Sequence, residues 1–265
     1  AAASPSAPAA PAGPPLDPYA SPAQVQIQVL LDDRLAKASA MGALDGELAV
    51  SPKRLIVVSD HQKLWLVGWG GVAPVDAIAT PVEAYAYTPD GLMLAVRGNE
   101  LAYLDEAGEL KPMFTLPSAG MGLATGATTV FLYDRTPGTA PYAIYELAPG
   151  RRAERLLESP EPIDAVAQAG THTFFASAGV AFEATPGAPL RALAALPSGA
   201  KVRSLAATAD GSRVYLSDGD SIFAVEGERV ALVTRSVGGV LRMHGDALLV
   251  LDPKRRLVAR LVGLR

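Results

Sequence analysis

Short apolar runs alternate with turn residues along almost the whole chain, and the pattern is clearest between Tyr87 and Gly108. A turn at Thr88-Pro89-Asp90-Gly91 leads into the apolar residues 92–96. A tight turn at Arg97-Gly98-Asn99 follows, then residues 101–104 and a closing turn at Gly108. Proline sets φ at the start of a turn, and Asp and Gly tolerate the left-handed φ at its end, so the pattern predicts a β-hairpin with defined limits. The same plan returns after Arg54, Thr129, Thr173, Arg213 and Ala247. With Leu55, Leu92, Val130, Phe174, Val214 and Leu248 taken as equivalent, the spacing is roughly 34 to 44 residues, a period typical of repeat architectures. A Gly- or Ala-rich strand precedes each hairpin, as at residues 83–87 and 203–208, and a further strand follows, as at 110–116 and 229–234. Four short antiparallel strands, repeated six times, predict an all-β six-bladed propeller.

The two ends of the pattern fit together. The last repeat, residues 240–263, stops after its third strand, while Gln24 to Leu30 alternates polar and apolar residues with Val25, Ile27 and Val29 on one face. This early segment is predicted to be the outer strand of the last blade, closing the ring and leaving no edge at the seam. Residues 32–41 carry no strand pattern and are expected to form a short helix or crossover before the first blade starts at Glu47. Residues 1–22 are mostly Ala and Pro with one charge, and read as a disordered or polyproline-like tether to a propeller domain spanning 23–265. The Ala-Ala-Ala start fits removal of an export signal, and equally a truncation within a linker; export to a bacterial periplasm, or secretion, is the expectation.

Composition narrows the function classes. Of the 265 residues, 49% are apolar and 19% charged, enough material for one continuous core, and no apolar run approaches the ~18 residues of a membrane span. A net charge of −4 provides no basic footprint for nucleic acid, which is not expected as a partner. The absence of cysteine excludes a disulfide framework, a thiolate nucleophile and a Cys-ligated metal.

The turn phrases Ser51-Pro52-Lys53, Thr88-Pro89-Asp90-Gly91 and Thr208-Ala209-Asp210-Gly211-Ser212 each precede an apolar strand. In this they resemble the SPDG turns of TolB-like and NHL-like bacterial propellers, over about residues 30–265. A WD40 propeller is disfavoured, since neither a Trp-Asp nor a Gly-His pair occurs. The resemblance implies mainly binding and scaffolding roles, with a minority of metal-dependent lactonases and lyases.

Most chemical motifs fail. Residues 120–126, GMGLATG, superficially suggest a dinucleotide loop, but the last Gly is one residue too far on and a strand follows where a helix is required. No cofactor is expected. His61, His172 and His244 share no ligand spacing, no GxSxG elbow occurs, and the loop at Asp218-Gly219-Asp220 has Arg229 where an EF-hand needs Glu. Trp65 and most other aromatics fall within strands and are expected to pack between blades. Trp69 stands outside strand alternation in GWGG and is a candidate anchor for a partner. Arg151, Arg152 and Arg155 fall on an outer strand, where charge protects a sheet edge.

Two patterns repeat in register. Asp60, Asp134, Asp218 and Asp252 end the first hairpin strands, a position where turn chemistry also favours Asp, and Arg97 occupies the corresponding turn of the second blade. Asp45, Glu83, Asp164 and Arg203 stand near the starts of the innermost strands. In a propeller both sets fall on one face, so they define a candidate site at a mouth of the central channel, or else a ring of mutually paired structural charges. The expected function is a non-catalytic module binding another protein of the cell envelope, with no bound metal. The alternative is a Ca²⁺-assisted lactonase- or lyase-like hydrolase with Asp45, Glu83 and Asp164 as ligands, in which Arg203 would offset the charge attracting the cation.

Overall fold

The computed structural model describes residues 25–264 apart from 45, 61–62, 69–70, 76–81, 139, 149–151 and 197–199. The tether, Asp45, His61, Trp69 and Arg151 lie outside the described residues.

Blade one is built from β2 (Leu48–Val50), β3 (Ile56–Ser59), β4 (Leu64–Gly68) and β5 (Gly71–Pro74). Blade two follows with β6 (Ala84–Tyr87), β7 (Met93–Arg97), β8 (Glu100–Leu104) and β9 (Leu110–Thr115). Blade three comprises β10 (Gly122–Thr125), β11 (Val130–Tyr133), β12 (Tyr142–Ala148) and β13 (Arg152–Ser159). Blade four has β14 (Ile163–Ala169), β15 (His172–Ser177), β16 (Val180–Ala184) and β17 (Arg191–Ala195). In blade five stand β18 (Ser204–Ala207), β19 (Val214–Ser217), β20 (Ile222–Glu226) and β21 (Arg229–Thr234). The last blade is β22 (Val240–His244), β23 (Ala247–Asp252), β24 (Leu257–Val262) and, on its outside, β1 (Gln26–Leu31). All pairings are antiparallel, and the inner strands touch in the cyclic order β2, β6, β10, β14, β18, β22 and back to β2. The six-bladed ring is therefore closed as the periodicity predicts.

Second strands read as unbroken apolar runs because each is covered on both faces. In β23, Leu248 and Val250 pack towards blade five with Tyr215 and Ile222, while Leu249 and Leu251 pack towards blade one with Leu48, Val58 and Trp65. Successive side chains leave a strand on opposite faces, so residues one apart serve different blade interfaces. Among the described residues the core forms six apolar clusters, one between each pair of neighbouring blades.

The turn residues act as the resemblance implies. The hydroxyls of Ser51, Thr88 and Thr208 accept from the backbone N–H of Leu55, Leu92 and Arg213 at 2.9, 2.9 and 3.1 Å. These contacts fasten each turn to the strand that follows. Gly91 and Gly211 take φ of 97° and 70°, where a side chain would be strained, and at the matching place in blade one Arg54 bears φ 62°.

Ring closure departs from simple alternation. β1 pairs with β24 from Gln26↔Val262 to Val29↔Ala259, then shifts register so that Leu31 meets Val258. The bulge sets an extra residue on one strand and turns the side chains that follow. Ile27 keeps its inward place, but Val29 is 52% exposed, and Leu30 and Leu31 fill the interface with blade one instead. The segment after β1 forms a short helix, α1 (Asp33–Ala38), capped by Asp32 through a 2.8 Å bond from Leu35 N–H. Among the described residues no helix is long and apolar enough to cross a membrane.

Candidate functional site at the channel mouth

The acids that end the second strands turn towards backbone. Asp60 accepts from Lys63 N at 2.7 Å, Gly42 N at 2.8 Å and Trp65 Nε1 at 2.8 Å. Asp134 accepts from Ala143 N at 2.9 Å and contacts the Ser118 hydroxyl. Asp218 accepts from Asp220 N and Ser221 N, both at 2.8 Å. Asp252 accepts from Arg255 N at 2.9 Å, Gly238 N at 3.1 Å and Arg255 Nη1 at 2.8 Å. Through Gly42 and Gly238, two of these acids also tie their turn to the loop before the inner strand of the same blade. Turn chemistry accounts for all four. Arg97 points along its own hairpin to Glu100, at 2.7 Å.

Asp252 supports the clearest stability prediction of this set. It is 0% exposed, so Asp252→Ala leaves two backbone N–H groups and the Arg255 guanidinium without their acceptor. The expected cost is about 3 kcal/mol or more in urea-induced unfolding, with Asp252→Asn retaining part of it. An Ala variant as stable as the parent would contradict this role.

The inner ring is different. Glu47, immediately before β2, holds the register that Glu83 holds before β6 and Arg203 before β18. The Tyr85 hydroxyl lies 2.8 Å from Glu47 O and 2.9 Å from Val57 O, which fixes the backbone from which the Glu47 carboxylate projects. That carboxylate meets Arg135 Nη1 at 2.5 Å, with Arg242 Nη2 3.9 Å from its other oxygen. Arg135 also donates to Glu83 O at 2.6 Å and to Gly120 O at 3.2 Å, so one guanidinium joins blades one, two and three. Burial works to lower its pKa, but Glu47, Tyr133 and Glu83 outweigh that and hold the charge more firmly. The Glu83 carboxylate turns aside to accept from Gly98 N at 3.3 Å.

Tyr133 reaches this group because Gly122, its cross-strand partner, has no side chain. A Cβ on Gly122 would lie 2.2 Å from Tyr133 Cζ and 2.7 Å from its hydroxyl. The ring is 5% exposed. Burial raises the phenol pKa, Glu47 and Asp164 raise it further, and Arg242 and Arg135 oppose them. The charges of Glu47, Arg135, Asp164 and Arg242 are all felt at this one hydroxyl. Asp164 is exposed by surface area, yet the surrounding walls displace enough of its hydration to push its carboxyl up, with Lys201 and Arg203 pulling it back. Of the residues singled out from sequence, Asp164 thus feels the charges of Lys201 and Arg203, and Glu83 meets Arg135 through its backbone carbonyl. Glu47, Tyr133, Arg135 and Arg242 were missed. Glu47 had a signal, since it occupies the register of Glu83; the other three are brought in by topology alone.

The described residues do not fit a Ca²⁺ ion. Such an ion needs six to eight oxygens, with several carboxylates free to converge. Here Glu47 is clamped by arginine, Glu83 is turned to a backbone N–H, Asp164 stands beside Lys201 and Arg203, and no three His, Asp or Glu residues converge among the described residues.

No protein-family model matches the chain, and no curated protein matches it. Solved structures do. A gluconolactonase from Xanthomonas campestris aligns over 95% of this chain and 98% of its own, at TM-score 0.68 and 15% identity. A candidate gluconolactonase aligns over 91% and 92%, at TM-score 0.67 and 13% identity. A streptogramin B lyase aligns over 89% and 97%, at TM-score 0.64 and 9% identity. At these identities the likeness establishes the fold: a six-bladed propeller with gluconolactonase-like and streptogramin-lyase-like neighbours. The expectation of a non-catalytic scaffold is corrected on one ground, that the two solved propellers at TM-scores 0.67 and 0.68 both carry gluconolactonase descriptions.

Proposed function

We propose that the chain is a hydrolase opening a small lactone or ester at the charged channel mouth. The observation that supports this most is the Arg135 guanidinium held 2.5 Å from the Glu47 carboxylate and bonded to the backbone of Glu83 and Gly120, on the face that also carries Asp164, whose carboxyl pKa burial raises. A carboxyl whose pKa is shifted by its surroundings is a candidate for acid–base chemistry. Asp164 takes a proton from water as the water oxygen bonds to the carbonyl carbon, and the carbonyl π electrons move to oxygen. The Tyr133 hydroxyl and a neighbouring guanidinium stabilise that oxyanion. When the tetrahedral centre collapses, the bond to the leaving oxygen breaks and Asp164 returns the proton to it. Glu47 keeps Arg135 in place.

A panel of aldonolactones, alkyl lactones and aryl esters, followed by acid release, tests the reading. Asp164→Asn is expected to lower kcat about 10²- to 10⁴-fold. Only the deprotonated carboxylate is a base and its pKa is raised, so kcat/KM should climb with pH through a value above the ordinary aspartate range. Absence of turnover across the panel, or an Asn variant as active as the parent, would refute it.

A further inference from the structure

On the rim of the ring, blades two and three leave an open groove of about 710 Å³ between their outer strands, β9 and β13. Its lining is large and mostly apolar: Tyr103, Met113 and Phe114 are half-buried, and Pro112 and Pro117 stand exposed beside them. Leu101 pairs with Phe114 and Ala102 with Pro112, so Met113 is the extra residue of a bulge. Met113 and Phe114, adjacent in sequence, therefore both pack against the core between these two blades. Pro112 has no N–H, and this edge lacks the continuous row of donors that an added strand would need. What the groove offers is side-chain contact with rings and prolines. Arg152, at the start of β13, is the one charged residue of the described lining, is exposed, and makes no ion pair among the described residues.

The sequence before β1 carries a matching pattern. Pro5, Pro8, Pro11 and Pro14 are spaced by three, and Asp17, the only charge before Val25, continues the series. Polyproline II has three residues per turn, so these five positions share one ridge of it, with the carboxylate at its C-terminal end. Proline ridges of this kind dock on grooves lined by aromatic rings. We infer that the groove between blades two and three receives this ridge from a second copy of the chain, with the prolines against Tyr103, Met113 and Phe114 and Asp17 at Arg152. A chain's own ridge does not reach. Blade three stands three places from blade six in the ring, so β13 and β1 are on opposite edges. Six strand spacings and the channel between them separate those edges by more than about 30 Å, whereas the eight steps from Asp17 to Val25 span at most about 29 Å. Two copies exchange ridges reciprocally, and once one is docked the second docking is intramolecular, which reinforces a weak single contact. The inference is independent of the hydrolase reading.

Sedimentation velocity of the full chain over a range of concentrations tests it, and a monomer–dimer equilibrium is expected. Pro8→Ala, Pro11→Ala and Pro14→Ala together should weaken the dimer about tenfold or more. These changes precede the propeller, so its folding is not at stake. Asp17→Arg and Arg152→Asp should each weaken the dimer about two- to fivefold per groove, and the two combined in one chain should restore it. A fluorescein-labelled peptide of residues 3–19 should bind the full chain and compete with the dimer. A chain that stays monomeric, a dimer indifferent to the three alanines, or single reversals that the double change does not rescue overturns the inference. So does a peptide bound by a chain that never dimerises, since the groove would then serve another partner.

Discussion

Deleting residues 1–31 should leave a chain that aggregates or melts far below the parent, whereas deleting only residues 1–22 should change the melting point little. The first truncation removes β1, and with it Leu30 and Leu31, 5% and 0% exposed, from the interface between the last blade and the first. It also takes Val25 and Ile27 from the interface with blade five. Truncating one buried leucine to alanine costs about 2–5 kcal/mol, and a domain's whole stability is about 5–15 kcal/mol, so losing the strand consumes most of it. β24 would then present unpaired N–H and C=O groups along its length, a template for pairing with other chains. Point variants separate packing from closure: Leu31→Ala should cost about 2–5 kcal/mol, while Val29→Ala, at a half-exposed side chain, should stay within about 0.5 kcal/mol. Thermal melting and gel filtration read both, and equal stability of the two truncations would defeat the closure role.

The strand itself was legible because period-two alternation is a local signal, and a last repeat short by one strand is visible by counting. The bulge was not. A register shift between Val29 and Leu31 depends on how blade one packs against the seam, which no window of sequence contains. The same division holds for the turns. Thr88 and Thr208 fasten the following strand as their phrases implied, since the contacts run within five residues.

The site was less legible, and for a physical reason. In a propeller each blade contributes one or two side chains to the mouth, so residues far apart in sequence meet there with no spacing to mark them. Arg135 reaches Glu47 across 88 positions. Glu83 and Asp164 were found because the repeat places them near the starts of inner strands, but residue type did not tell which charges face one another and which face a backbone N–H. Nor did the Gly120–Gly126 stretch announce its purpose. Its glycines serve close approach: a Cβ at Gly126 would fall 2.4 Å from Gln168 Oε1, and one at Gly122 would enter the Tyr133 ring.

Gly122→Ala is accordingly expected to act on both stability and chemistry. Its φ is not in the left-handed region, so the backbone tolerates alanine and the ring alone is in the way. With Cβ 2.2 Å from Tyr133 Cζ and the ring 5% exposed, the tyrosine has to tilt within a packed interface, an overpacking cost of about 1–3 kcal/mol. The tilt moves the hydroxyl relative to the charges it feels, those of Glu47, Arg135, Asp164 and Arg242. On the proposed hydrolase reading, loss of one oxyanion donor should lower kcat about 10²- to 10³-fold. Tyr133→Phe should reproduce the loss of kcat without the full steric cost, since the ring stays. Tyr133→Ala leaves a cavity that costs about 3–5 kcal/mol, and adding Gly122→Ala to it should then cost almost nothing more, so the two changes are strongly non-additive. Urea unfolding of the four chains of this cycle, with kcat measured in parallel, decides it: additive stabilities, or a Gly122→Ala variant turning over as fast as the parent, would show that the ring does not depend on the missing side chain.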